Sequence, residues 1–404
     1  MQSKTLSVSS GEHEIEKLHA ELEANISVRA PWYCYAIVLG SLSIIIGILW
    51  DISWHRSIGR DTFWTPAHLA IHFGGIMGGI VSGFLIIRST FLRSQGGNDS
   101  VSTIAIGPLR APAGAWVCLF GNLAMLTSAP FDDWWHNAYG LDVKILSPPH
   151  MVLALGMFSV VFGGLLLLAR DWNNQGSGGI RRSPWLMVLG GGILLAMATT
   201  VLIEVSWPNE YRQKQFLTVS CATYPFYLLG IARATRWRWA GTVIGLIYMS
   251  LVAGMVWILP LFEAQPLLGP IYNPVDYFVP LPFPLLLVVP GLALDLVRWP
   301  FENKSGLWWG MALGVAGAIT FTLTFYWTQY HFGTFLLSEK AHNWFFAADR
   351  HWGYQERVFG SDWQMQFWGK PVENIFAQPT IFLYALGACW FSLLAGNWLG
   401  KIRR

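Results

Sequence analysis

Asp51-Ile-Ser-Trp-His55 places a carboxylate and an imidazole four residues apart, so on a helix both project from one face, a turn apart. Thr65-Pro66 then has the form of a helix start, because proline suits the first turn and lacks the N–H that would go unpaired there. This puts His68 one turn into a second helix, beside the end of the first. One carboxylate and two imidazoles converging from a helix–turn–helix form a metal site in outline. Imidazole with carboxylate suits copper, zinc or non-haem iron, and three protein donors leave the open positions a reactive centre requires.

The device recurs some eighty residues on. Asp132-Asp133-Trp134-Trp135-His136 repeats D-x-x-W-H, and Ser147-Pro148-Pro149-His150 repeats the helix-opening Pro-x-His. Order is kept and spacing nearly so, thirteen residues from His55 to His68 and fourteen from His136 to His150. The second ligand set is therefore Asp132, His136 and His150. Asp133 is an alternative carboxylate, but only Asp132 stands four before His136.

The string Asp51-x-x-Trp-His55, Arg60-Asp61-Thr62 and Thr65-Pro66-x-His68 resembles the signature of the C subunit of the copper-dependent membrane monooxygenases that oxidise methane, short alkanes or ammonia. The resemblance covers roughly residues 30–170. It implies copper bound by Asp51, His55 and His68, and a second set at Asp132, His136 and His150, where Asp132 stands in place of the family's asparagine. It also implies companion subunits and an electron donor such as quinol. Arg60 and Asp61 match the family string and are expected to fix the loop and orient the ligands from behind.

The elements that must position these side chains are membrane helices. Hydrophobic residues make up 53% of the 404, charged residues only 12%, and mean hydropathy is +0.42, far too apolar for a soluble protein of this length. The 23 tryptophans fit helix ends at a bilayer interface. The expected fold is all-α, a polytopic bundle of ten spans at about 31–53, 66–88, 112–131, 148–169, 184–206, 216–234, 240–262, 279–297, 307–329 and 378–398. Residues 1–30 form a polar N-terminal segment, 31–170 a four-helix metal-binding module and 171–404 a six-span module with an outer cap at 329–378. Arginines and lysines concentrate on one side: Arg88, Arg93 and Arg110, Arg170, Arg181 and Arg182, Arg233, Arg236 and Arg238, Arg298 and Lys304, and Lys401, Arg403 and Arg404. That bias predicts both termini inside the cytoplasmic membrane and both ligand sets at the outer, periplasmic face.

His72, a turn below His68, and Glu204, near the outer end of the fifth span, are further candidates; the plain alternatives are a hydrogen-bonded core histidine and a solvated helix end. Asp295 is expected to pair with a neighbouring helix. His331, His342 and His351 lie on no ligand spacing. The four cysteines sit singly in apolar runs, which argues against a disulfide framework or thiolate site. Motifs for nucleotide, haem or esterase chemistry are absent, and nothing points to nucleic acid. Two functions follow: a copper monooxygenase component acting with O2 on a small apolar substrate from the bilayer, or a metal transporter or delivery protein using the same ligands as an entry site.

Overall fold

The computed structural model describes residues 30–59, 62–91, 103–140, 147–174, 184–267, 274–302, 304, 306–347 and 366–403. Among these it has ten α-helices: α1 Trp32–Ser57, α2 Pro66–Phe91, α3 Ala113–Tyr139, α4 Pro148–Asn173, α5 Trp185–Val201, α6 Lys214–Thr235, α7 Ala240–Ile258, α8 Val288–Arg298, α9 Leu307–Leu336 and α10 Pro379–Leu399. Seven are long and apolar enough to cross a membrane: α1 to α4, α7 with its 3-10 extension to Leu261, α9 and α10. The architecture is that of an all-α membrane bundle. The N-terminal segment expected at 1–30 lies almost wholly outside the described residues.

Between α2 and α3, Ile104–Ile106 and Leu109–Ala111 pair as a short antiparallel hairpin; Gly107, at φ +59°, makes its turn. Two expectations are corrected. The fifth helix stops at Val201 and continues as a 3-10 turn, Ile203–Val205. The segment expected to span at 279–297 is not one helix. Pro280, Pro282 and Pro284 each lack a backbone donor and exclude helical geometry from the residue before, so the chain runs extended and buried to Leu285. Only then does the eleven-residue α8 begin.

That extended stretch is held by side chains in place of a ladder. Ser53 Oγ donates to the Val279 carbonyl (2.6 Å), the Val279 N–H donates to Ser57 Oγ (2.8 Å), and the Leu285 N–H donates to Tyr248 Oη (3.0 Å). Nearby, the Trp54 and Phe278 rings stand 5.6 Å apart, and Arg56 lies over Trp207 at 4.7 Å. The end of α1 is therefore clamped by the C-terminal half, and one buried core runs through both halves. The cap begins later than expected, because α9 continues to Leu336; residues 366–373 are tied back by Trp368 N–H to Asn209 O and Val372 N–H to Arg212 O.

The hairpins α1–α2 and α3–α4 are built alike. In the first, a Cβ on Gly74 would collide with the Gly40 carbonyl; in the second, Gly121 and Gly156 would each put a Cβ 2.7 Å from the other's carbonyl oxygen. Each pair consists of a glycine eleven residues before the aspartate and one six residues after the Pro-x-His histidine. Small residues let membrane helices close backbone to backbone, so the repeat seen in the ligands extends into the seam that sets the spacing between the helices carrying them.

Candidate metal centre

Each triad forms where one helix of a hairpin ends and the next begins. α1 runs on to Ser57, so Asp51 and His55 lie in its last two turns; α2 opens on Pro66, with His68 in its first turn. Pro130 interrupts one backbone bond in α3 but does not end it. The helix reaches Tyr139, well past the expected limit at 131, and this carries Asp132 and His136. α4 opens on Pro148, two residues before His150. α2 and α3 pack antiparallel, with Gly75 against Met125 and Gly78 against Asn122. That register, continued along both helices, sets Asp132 level with His68, so both triads occupy the same end of the four-helix unit.

Within each triad the aspartate is the centre. Asp51 Oδ1 lies 3.3 Å from His68 Nε2, and Asp51 Oδ2 lies 3.7 Å from His55 Nε2. Asp132 Oδ1 lies 3.5 Å from His150 Nε2, and Asp132 Oδ2 lies 3.5 Å from His136 Nε2. In both, the two imidazoles approach different oxygens of one carboxylate. All four contacts are longer than the 2.7–2.9 Å of a charge-assisted N–H···O bond. They match the separation of about 3.4 Å between two ligand atoms tetrahedrally disposed around an ion of zinc's size.

The far side of the ring supplies the second observation. His68 Nδ1 stands 2.8 Å from the Thr62 carbonyl, and His136 Nδ1 stands 3.0 Å from the Gly140 carbonyl. A carbonyl only accepts, so Nδ1 carries the proton; in the neutral ring this turns the Nε2 lone pair toward the carboxylate. With Nε2 unprotonated, ring and carboxylate both present lone pairs that a cation could share; with Nε2 protonated, they form an ion pair. Asp51 Oδ1 is buried and receives no hydrogen bond. Thr62 is itself fixed by its N–H donating to Thr65 Oγ1 (2.8 Å), so the turn that opens α2 also sets the His68 ring.

Among the described residues, no group of three or more His, Cys, Asp or Glu side chains is disposed to hold an ion as it stands. In each triad one imidazole stands at each carboxylate oxygen. The donor types are those metals take, but the side chains as they stand do not form a closed site.

The other candidates fall away from the triads. His72 stacks on Phe63 at 4.6 Å between centroids, its ring centre 6.2 Å from that of His68, with Nε2 buried and unbonded. Asp133 receives a hydrogen bond from Asn137 and is turned away from His136. Glu204 is exposed in the turn after α5 and interacts with Glu210, not with either triad. Arg60 and Asp61 lie outside the described residues, as does His351; Arg56 serves the Trp207 contact. Asp295 caps α7, accepting from Gly241 N–H, Thr242 N–H and Thr242 Oγ1, with Arg298 at 3.8 Å. Sequence reasoning missed Ser53 and Ser57, which lock the ligand-bearing turn of α1 onto the C-terminal half. Their only signal was the four-residue spacing to one another and to the end of the helix.

The chain matches no family model, no curated protein and no solved structure with which it was compared. The likeness to the monooxygenase C subunit therefore rests on the quoted residues alone.

Proposed function

We propose that this protein is the metal-bearing component of a copper-dependent membrane monooxygenase, similar to the C subunit of the methane, alkane and ammonia enzymes. The duplicated Asp–His–His set carries the reading, with imidazole Nε2 atoms turned on a shared carboxylate at 3.3–3.7 Å. Asp51, His55 and His68 would hold one ion, and Asp132, His136 and His150 a second. Copper is preferred over iron or zinc through the family likeness. Bound there, copper would supply O2 activation, with electrons from a donor of the quinol class and companion subunits as partners.

The chain's own groups have definite tasks in this reading. The aspartates balance the ion's charge. The Thr62 and Gly140 carbonyls hold the His68 and His136 rings with Nε2 turned toward the aspartate. Apolar walls around α1–α4 limit water and admit a small apolar substrate, hydrocarbon or ammonia, from the bilayer. The placement is a polytopic protein of the cytoplasmic membrane with both triads at its outer face. Arg88, Arg170 and Arg233 sit in the last turns of α2, α4 and α6, away from the triads, as the positive-inside bias requires for outward-facing metal sites.

One feature favours the second reading, a metal transporter or delivery protein: the C-terminal half contains the interrupted elements from which transport sites are built, a shortened α5 and the extended segment before α8. Membranes containing the protein and any partners, supplied with copper, a quinol and O2, should oxidise a short alkane or ammonia, and His55→Ala and His136→Ala should each abolish the activity. Metal flux into liposomes without any oxidation would establish transport instead.

A further inference from the structure

The C-terminal half contains a cavity of about 40 Å³ that the metal reading does not use. It lies between the end of α5, α7, the turn before α6 and the extended Leu281–Leu285 stretch, with Leu49 of α1 closing one side. Its polar wall consists of neutral hydroxyls: Thr199, Thr200, Ser206, Tyr211 and Tyr248.

Most of these hydroxyls have already spent their single proton. Thr199 Oγ1 and Thr200 Oγ1 both donate to the Ala196 carbonyl (2.8 Å each), and Ser206 Oγ donates to the Leu202 carbonyl (2.7 Å). Each is left presenting lone pairs only. Tyr248 Oη accepts from the Leu285 N–H and lies beside the Thr199 hydroxyl. The wall therefore calls for a guest that donates hydrogen bonds.

Polar groups around the wall are short of partners. Tyr224 is fully buried and its Oη adjoins the Ser206 and Ser220 hydroxyls, yet it completes no hydrogen bond. Gln329 is fully buried with neither amide atom bonded. Its neighbours along α9 fix where it looks. Phe325, a turn before, packs on Tyr224 at 6.0 Å; Phe332 packs on Phe283 of the wall at 5.9 Å; and at Gly333 a Cβ would stand 3.2 Å from Tyr211. Leaving a buried amide with neither group bonded is unfavourable, so a dry interior here is disfavoured.

We propose that this chamber is a water-binding site, holding about three ordered molecules at roughly 10–15 Å³ each, which donate to Thr199, Thr200 and Ser206 and extend the network toward Tyr224 and Gln329. The site makes the C-terminal half hydrated at its centre. It depends on no part of the metal assignment.

X-ray hydroxyl-radical footprinting of the full chain in detergent tests it, because a bound water oxidises the buried side chain beside it. Tyr248 and Phe283 should be oxidised severalfold faster than Phe321, which is fully buried one turn deeper on α9 than Phe325. Thr199→Val with Thr200→Val should bring the Tyr248 rate down to the Phe321 rate; if that variant does not fold, Ser206→Ala is read instead. Equal rates at all three aromatics in the native protein would overturn the proposal. So would rates that survive removal of the hydroxyls. Loss of the signal when sodium is exchanged for choline would also overturn it, by making the guest an ion.

Discussion

The two triads share donors, order and seam glycines, yet the rest of the chain treats them differently. The first is gripped: Ser53 and Ser57 pin Val279, Trp54 meets Phe278, Arg56 covers Trp207, and the Leu267 N–H donates to the Ile58 carbonyl. The second follows a helix that projects past Pro130 into exposed aromatics, with Trp134 and Tyr139 largely open. Asp51 is 21% exposed and Asp132 33%. The two sets therefore differ in how their first helix ends: α1 is tied to the C-terminal half, and α3 ends among exposed aromatics. Rigidity of the surroundings sets how much ordering an ion must impose on binding, so under the proposed function the first set is expected to be the tighter site and the second the adaptable one.

The largest expected effect comes from removing a triad's centre. Asp51→Ala should abolish binding at the first site and leave the second, and Asp132→Ala the converse, read by isothermal titration of the metal-stripped protein. Loss of both sites from either change would mean the triads are one unit. Next, Ser53→Ala with Ser57→Ala should weaken the first site about tenfold while leaving the second unmoved; parallel weakening of both would remove the distinction drawn here. Asp132→Asn, which introduces the asparagine of the family the string resembles, should keep ion binding at the second site with lowered affinity, since the amide still offers an oxygen but no charge.

The smallest effect lies away from both triads. Burial in the turn before α6 holds the Glu210 carboxyl above its usual range, with Glu204 adding to the shift. A folded-state value above the unfolded one means that stability is lost as pH rises from near 4.3 through the folded value. Glu210→Gln should therefore raise the thermal midpoint by about 2 °C at neutral pH, and the gain should vanish toward pH 4. A gain that persists at pH 4 would show that burial of the charge is not its cause.

The meeting of Asp51 with His55 and His68, and of Asp132 with His136 and His150, was legible in the sequence because each depends on local spacing. Four residues along a helix and a proline at a helix start fix where Asp51, His55 and His68 meet, whatever else the chain does. The all-α membrane class was legible from composition for the same reason: it sums over the whole chain. What the sequence concealed was non-local. The pairing of Ser53 and Ser57 with Val279 spans more than two hundred residues, and no periodicity announces it. The run from Pro280 to Leu285 is apolar enough to read as a span, but its alternating prolines make it extended, and Tyr248 from another helix is needed to satisfy its backbone. His72 and Glu204 were attractive by depth alone, and depth says nothing about which way a side chain turns.

Elemental analysis of the purified protein, wild type beside Asp51→Ala, Asp132→Ala and the double variant, tests the central claim most directly. The duplicated-site account predicts two copper ions per wild-type chain, one in each single variant and none in the double. The same metal content in all four would contradict it.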